Sequence, residues 1–216
     1  MQRVLVVDVG GTHIKVLASR KTTPIKIDSG PDMTAAKMVS AVKAATVGWK
    51  YSVVTIGYPG TVVKGRPSRE PHNLGGGWRR FDFARAFGCP VRVINDAAMQ
   101  ALGGYDGGKM LFLGLGTGLG SAMIVDGVVI PLELAHLPYR KGYTYEEYVG
   151  AAGLERLGKK RWRQHVAIVV ELLRAALGTD DLVIGGGNAR ILRELPTGTR
   201  LGSNANAFLG GYRVWK

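Results

Sequence analysis

Two stretches of this chain, VVDVGGTHIKV at residues 6–16 and LFLGLGTGLGSAM at 111–123, repeat one device. In each, an apolar, β-rich run enters a glycine turn and a second such run leaves it. A single turn of this kind is satisfied by a plain hairpin whose tip needs positive φ, with Asp8 as a turn residue. Written twice, and followed each time by a further strand and by helices, it constrains the chain to a duplicated α/β architecture. In the second copy Gly114, Gly116, Gly118 and Gly120 alternate around Thr117. On an extended chain that alternation clears one face of side chains, so backbone N–H groups can approach an anion closely. The turn is not a Walker loop, because no Gly-Lys-Ser/Thr follows. Nor is it the dinucleotide fingerprint, because its spacing differs and a strand rather than a helix comes next.

The surrounding elements repeat as well. Residues 3–9, 13–19 and 23–28 read as strands, and DMTAAKMVSAVKAAT (32–46) reads as a helix with Asp32 as N-cap. YSVVTIGYPG is a strand ending in a turn. Residues 64–80 form a long Gly/Pro/Arg-rich loop that suggests function rather than connection. CPVRVIND is a short buried strand, and DAAMQALGG is a helix with Asp96 at its start and glycines after its end. In the second half, KMLFLGLGTGLGSAMIV is strand, turn and strand, and DGVVI adds a third strand. Residues 144–177 are helical in two pieces, the first capped by Thr144 above an acidic turn. DDLVIGGGNA is a strand delivering a glycine run, and a last helix begins at Asn204. The expected organisation is a lobe over 1–95, a larger lobe over 96–203, and a terminal helix over 204–216 that packs back on the first. Pockets favour such divisions, so a cleft between the lobes is the expected site.

Composition sets limits on function. The chain has 216 residues, room for two lobes of roughly 100 each. Its longest apolar runs fall far short of the roughly 20 residues of a membrane span. A single cysteine, Cys89, excludes an intrachain disulfide framework and a cysteine-built zinc site. Residue 3 already reads as strand, so no leader is expected, and a cytoplasmic protein is. Lysine and arginine number 29 against 16 acidic residues, a net charge of +13. Such a surface attracts polyanions, although a basic surface also simply keeps a protein soluble.

Phosphate-binding turns need countercharge. Asp8 beside GGTHIK could hold Mg²⁺ through water, and Lys15 could reach a phosphate oxygen or stand as an exposed strand lysine. Asp96, where a strand meets a helix after Asn95, is either an N-cap or a general base. Phosphoryl transfer to an alcohol requires one such base, the remaining catalysis being positioning and charge neutralisation.

With these residues in view, DVGGTHIK, IGYPG, NLGGGW, INDAAMQALG, LGLGTGLGSAM, ELAHLPY and VIGGGNA resemble, in this order, the motifs of ROK-type sugar kinases. That family lies within the actin/hexokinase-like superfamily. The segment ELAHLPYRKGYTYEEYVGAAGLERLGKKRW is similar to the polyphosphate glucokinase branch of that family. The resemblance covers nearly the whole chain. It implies an α/β, two-lobed actin-like ATPase (ribonuclease H-like) fold. It also implies phosphoryl transfer to the 6-hydroxyl of glucose or a related hexose. By resemblance, Asp8, Gly10, Gly11 and Thr12 form the first phosphate motif, and Gly116, Thr117 and Gly118 the second. Asp96 is the implied base. Asn73, Asn95, Glu133, His136 and Glu146 match sugar-hydroxyl positions, and Gly185, Gly186 and Gly187 match the turn against a nucleotide. Mg²⁺ is the implied cofactor, and a homodimer is expected.

The chain departs from the family in several places. The cysteine-rich zinc motif that many members carry after the equivalent of His136 is absent, and Ala135 replaces the usual glycine. The chain begins in its first strand rather than in a DNA-binding helix-turn-helix, so a repressor and DNA binding are not expected. The donor is polyphosphate, ATP or both. The basic clusters Arg156, Lys159, Lys160, Arg161, Arg163 and Arg66, Arg69, Arg79, Arg80 suit a phosphate polymer, or are solvated faces. The alternatives are an ATP-only hexose or N-acylhexosamine kinase, and a non-catalytic polyanion or nucleic-acid binder on a kinase fold.

Overall fold

The computed structural model describes residues 2–203 and 205–216. The chain divides into two compact units, residues 1–99 with 207–216, and residues 100–206. Asn204, from which the sequence starts the last helix, lies outside the described residues.

In the first unit, strands β1 (Val4–Val9), β2 (His13–Ala18), β3 (Ile25–Asp28), β4 (Val53–Tyr58) and β5 (Val91–Asn95) form one sheet. Its order is β3-β2-β1-β4-β5. The first three strands are antiparallel to one another, and β4 and β5 are parallel to β1. The period-2 alternation of β1 explains its two-sided burial. Leu5, Val7 and Val9 join a core built with helices α1 (Ala35–Ala45) and α2 (Phe83–Phe87). Val4 and Val6 pack on the opposite face against Phe208 and Ala207 of the C-terminal helix. Asp8 shares that second face.

The second unit repeats the topology. Strands β6 (Lys109–Leu115), β7 (Leu119–Val125), β8 (Val128–Leu132), β9 (Asp181–Gly185) and β10 (Arg200–Leu201) lie in the order β8-β7-β6-β9-β10. Again the first three are antiparallel and the last two parallel to the first. The sequence expectation of a duplicated hairpin-strand-helix topology is what the two sheets show. Helix α3 (Asp96–Gly104) crosses the division. Helices α4 (Tyr145–Val149) and α5 (Ala151–Leu177) follow, and α6 (Asn206–Arg213) completes the chain. Trp162, Val166, Val169, Val170 and Leu173 of α5 bury one 3.6-period stripe against Leu111, Leu113, Leu182 and Ile184.

Several local expectations are corrected. Thr34, not Asp32, caps α1, its hydroxyl accepting from the Lys37 N–H at 3.2 Å. Gly103 and Gly104 lie inside α3 rather than beyond it, and Gly103 is a glycine for packing rather than for ending the helix: a Cβ there would overlap the backbone of Asn206. β5 is only partly buried. The loop 64–80 opens in a short hairpin that pairs Arg66–Pro67 with Val62–Val63 just before it, and α2 and β10 carry no sequence signal strong enough to announce them. Thr144 does cap α4, in a full capping box with Glu147. That box holds the Glu147 carboxyl below its ordinary range. The long helical text breaks at Gly150 and again at Gly158, whose φ of 71° interrupts α5.

Candidate active site

In the first unit the strand register sets Asp8 of β1 opposite Lys15 of β2, and the Lys15 ammonium lies 3.6 Å from Asp8 Oδ2. The Asp8 side chain is only 13% exposed. Burial pushes its carboxyl above the usual range, and the pull of Lys15 in the other direction does not cancel this. On its other side Asp8 pairs with Gly57 of β4, where a Cβ would overlap the Met99 side chain and lie 3.7 Å from Asp8 Oδ1. In the turn that follows, the Gly10 N–H donates to His13 O at 3.1 Å, and Thr12 O accepts from the Ser29 N–H at 2.9 Å. A Cβ on Gly11 would stand 3.4 Å from Asn73 Cβ, so the long loop lays Asn73 over the glycine turn. That loop is fastened at several points. Tyr58 Oη donates to Arg69 O at 2.7 Å, and the Glu70 carboxylate accepts from the Trp78 and Arg79 N–H groups.

Asn95 and Asp96 close β5 and open α3. The buried Asn95 side chain accepts from the Ala98 N–H at 2.9 Å and donates to Gly60 O at 3.1 Å. Asn95 is therefore the cap of α3. Capping does not account for Asp96, which stands in the first turn with Oδ1 accepting from the Ala97 N–H at 2.8 Å.

In the second unit the turn 116–118 is clamped through its carbonyls. Gly116 O accepts from Asn188 Nδ2 at 2.9 Å, Thr117 O from the Ala151 N–H at 3.0 Å, and Gly118 O from the Gly116 N–H at 3.1 Å. With all three carbonyls and the Gly116 N–H committed inside the protein, the polar groups the tip offers a ligand are the Thr117 and Gly118 N–H groups and the exposed Thr117 hydroxyl. One oxyanion already uses this environment: Glu146 Oε2 accepts from the Leu119 N–H at 3.1 Å. Glu146 lies so close over Gly118 that a Cβ there would overlap its carboxylate.

The glycine run after β9 rests on the same hairpin. Gly186 has a φ of +84°, and a Cβ on it would overlap the Leu115 backbone. The Asn188 N–H donates to Leu115 O at 2.9 Å. Phe112 explains two further glycines. Its ring lies under the paired Gly114 and Gly185, where Cβ atoms would approach it to 3.2 and 2.7 Å.

Glu133 and His136 bound a short 3₁₀ turn and are both exposed. Ser121 of β7 positions this turn: its hydroxyl donates to Leu132 O at 3.0 Å and accepts from the Leu134 N–H at 3.3 Å. Ser121, Asn188 and Phe112 carry no functional signal in the sequence. The serine and the asparagine lie within or beside quoted motifs, but only the fold gives them partners.

After His136 the chain packs aromatic rings together. Tyr139 Oη and His165 Nδ1 are hydrogen-bonded at 3.0 Å, and the Tyr139 and Tyr148 rings meet edge to face. Arg156 stacks 4.4 Å from the Tyr143 centroid and donates to Glu147 O at 2.8 Å. Arg156 is thus spent on structure, as is Arg163, which donates to Ile191 O at 2.8 Å. Lys159, Lys160 and Arg161 are exposed. Among the described residues, no group of three or more His, Cys, Asp or Glu side chains is placed to hold a metal, and no helix is long and apolar enough to cross a membrane.

The duplicated sheets and their glycine turns form an α/β fold shared with solved ROK family sugar kinases. No family model matches the chain. It is 29% identical over 195 residues to a polyphosphate glucokinase of Mycobacterium leprae, covering 83% of this chain and 56% of that protein. It is therefore similar to a little over half of that relative's length. The inorganic polyphosphate/ATP-glucomannokinase of an Arthrobacter strain superposes with a TM-score of 0.84 at 24% identity, over 99% of this chain and 98% of the other. A ROK family glucokinase from Streptomyces griseus, solved with glucose and AMPPNP, gives 0.78 at 18% identity, over 98% of each chain.

Proposed function

We propose that the protein is a glucokinase-type hexose kinase that transfers a phosphoryl group from polyphosphate, ATP or both to the 6-hydroxyl of glucose or a related hexose. The observation that carries this reading is the turn 116–118, whose carbonyls are all committed internally and whose Thr117 and Gly118 N–H groups are the ones that face phosphoryl oxygens. The relatives named for polyphosphate and ATP chemistry support it.

In this reading Asp96 accepts the proton of the sugar hydroxyl. The hydroxyl oxygen then bonds to the terminal phosphorus while the bond from that phosphorus to the leaving phosphate oxygen breaks, and Asp96 later returns the proton to solvent. Asn95 fixes the turn from which Asp96 projects. Asn73, Glu133, His136 and Glu146 supply hydrogen-bonding partners for hexose hydroxyls, which a polar substrate requires at fixed angles. Gly185–Gly187 flank the donor.

The residues fit a hydrated Mg²⁺. Asp8 is a single, nearly buried carboxylate already paired with Lys15, which suits an ion that keeps several waters and takes the rest of its shell from phosphate oxygens. When bound, held by Asp8 through water, the ion supplies neutralisation of the donor's charge. A cytoplasmic setting and a homodimer belong to the same reading.

The test is phosphorylation of glucose with Mg²⁺ and each donor separately, in the wild type and in Asp96→Asn. Asp96→Asn should lower turnover by about 10²- to 10⁴-fold while leaving glucose binding largely intact. Unchanged turnover removes Asp96 as the base. Activity with ATP alone removes polyphosphate as donor.

A further inference from the structure

The first unit carries a second cationic feature, at the end of its sheet opposite the glycine turn. A cleft of about 380 Å³ is lined by Arg3, Ser19, Arg20, Lys21, Gly48, Trp49 and Lys50. Arg3 precedes β1 by one residue, Ser19 follows β2, and Lys50 comes shortly before β4, so three strand ends converge there. The parallel register of β1 with β4 brings the segments together, and the Ser52 N–H donates to Arg3 O at 2.8 Å. Arg3 and Asp8 are five residues apart on an extended strand, about 17 Å at a rise of ~3.3 Å per residue. The cleft is therefore separate from the Asp8 site.

Four cations face this space, and among the described residues none of them has an acidic partner within ion-pair distance. Arg20 is also held at a φ of 70°, a left-handed conformation that a non-glycine residue seldom adopts. The turn that imposes it is closed by the Lys21 N–H donating to Ala18 O at 3.0 Å. The Lys21 ammonium lies 5.4 Å from the Trp49 centroid, and the indole packs against the core of the unit. Trp49 thus supports Lys21 at the wall of the cleft. Like charges gathered without counterions repel one another, and an anion with several charges relieves that repulsion more than a single charge does.

We infer that this cleft is a binding site for a condensed phosphate, a linear chain of several phosphoryl groups, remote from the catalytic residues. Its volume is on the order of a dozen waters at ~30 Å³ each, room for more than one phosphoryl group. The four cations converge on one cluster of strand ends, which suits a short inorganic chain, whereas a nucleic-acid strand is held along an extended groove with its bases stacked.

The Trp49 indole N–H resonance reads this site alone. Titration of the full chain with tripolyphosphate should shift that resonance saturably, and orthophosphate at equal concentration should shift it far less. The apparent affinity should fall about tenfold or more between low and moderate salt. Arg20→Gln combined with Lys50→Gln should abolish the saturable shift while glucose phosphorylation with ATP stays at the wild-type level, and Arg3→Gln alone should weaken it. Should the double variant fail to fold, Arg3→Gln decides. The inference is overturned if the resonance does not saturate, if orthophosphate matches tripolyphosphate, if the folded variants respond as the wild type does, or if a short single-stranded RNA shifts it at lower concentration than tripolyphosphate. A chain that phosphorylates no sugar yet shows the Trp49 response would refute the kinase reading and keep this one.

Discussion

Replacing Asn95 by alanine tests the junction that presents Asp96. The side chain is 7% exposed and uses both ends of its amide, accepting from the Ala98 N–H at 2.9 Å and donating to Gly60 O at 3.1 Å. Loss of an N-cap costs about 0.5–2 kcal/mol. The second bond contributes about 0.5–1.5 kcal/mol, since its loss leaves Gly60 O without that donor. The sum, about 1–3.5 kcal/mol, corresponds to a fall in Tm of roughly 2–14 °C at 2–4 °C per kcal/mol for a chain of this size. Urea unfolding followed by circular dichroism measures it. Asn95→Asp separates the two arms: its carboxylate still caps α3 but cannot donate to Gly60 O, so it should recover about half of the stability lost. Turnover should fall in both variants, because the first turn of α3 carries Asp96. An Asn95→Ala variant within about 0.5 kcal/mol of wild type, below the smallest of these losses, would refute the assignment of Asn95 as the cap.

Gly118→Ala should raise KM for the phosphoryl donor and destabilise the hairpin by about 1–3 kcal/mol, because the new methyl overlaps the Glu146 carboxylate that accepts from Leu119; donor-dependent kinetics and urea melts measure the two effects. Gly103→Ala should destabilise by at least as much, since its methyl meets the Asn206 backbone, which cannot swing aside as a side chain can; wild-type stability in a melt would contradict the packing of α3. Burial, then Arg140 and Arg156, lower the pKa of His165, so the folded protein binds this proton less readily than the unfolded chain. The stability this contributes is complete above the unfolded value near 6.5 and is lost as pH falls through that value toward the lower folded one. His165→Phe should flatten that part of the stability profile between about pH 7.5 and 5, and an unchanged slope would remove His165 from the account.

How far the sequence could reveal this molecule depended on how far apart its causes lie along the chain. Both glycine turns, the capping box at Thr144 and the stripe on α5 were legible because each is local: a period, a cap or a required φ within a few residues. The pair Asn95–Asp96 was legible only in part, since two adjacent residues can both cap a helix and only the bond from Ala98 decides which one does. Thr34 displaced Asp32 for the same reason. Glu146 stood out as a carboxylate, but its seat over Gly118, 28 positions away, follows from α4 packing against β7. Ser121 and Asn188 were hidden in the same way, as ordinary polar residues whose partners arrive through strand pairing. The cation cleft is the extreme case. Arg3, the Arg20–Lys21 pair and Lys50 are scattered among many other basic residues in a chain of net charge +13, so no single segment singles them out. The pairing of β1 with both β2 and β4 makes them neighbours. A charge count therefore states only that this surface attracts anions, whereas the folded strand ends state where several of those charges act on the same one.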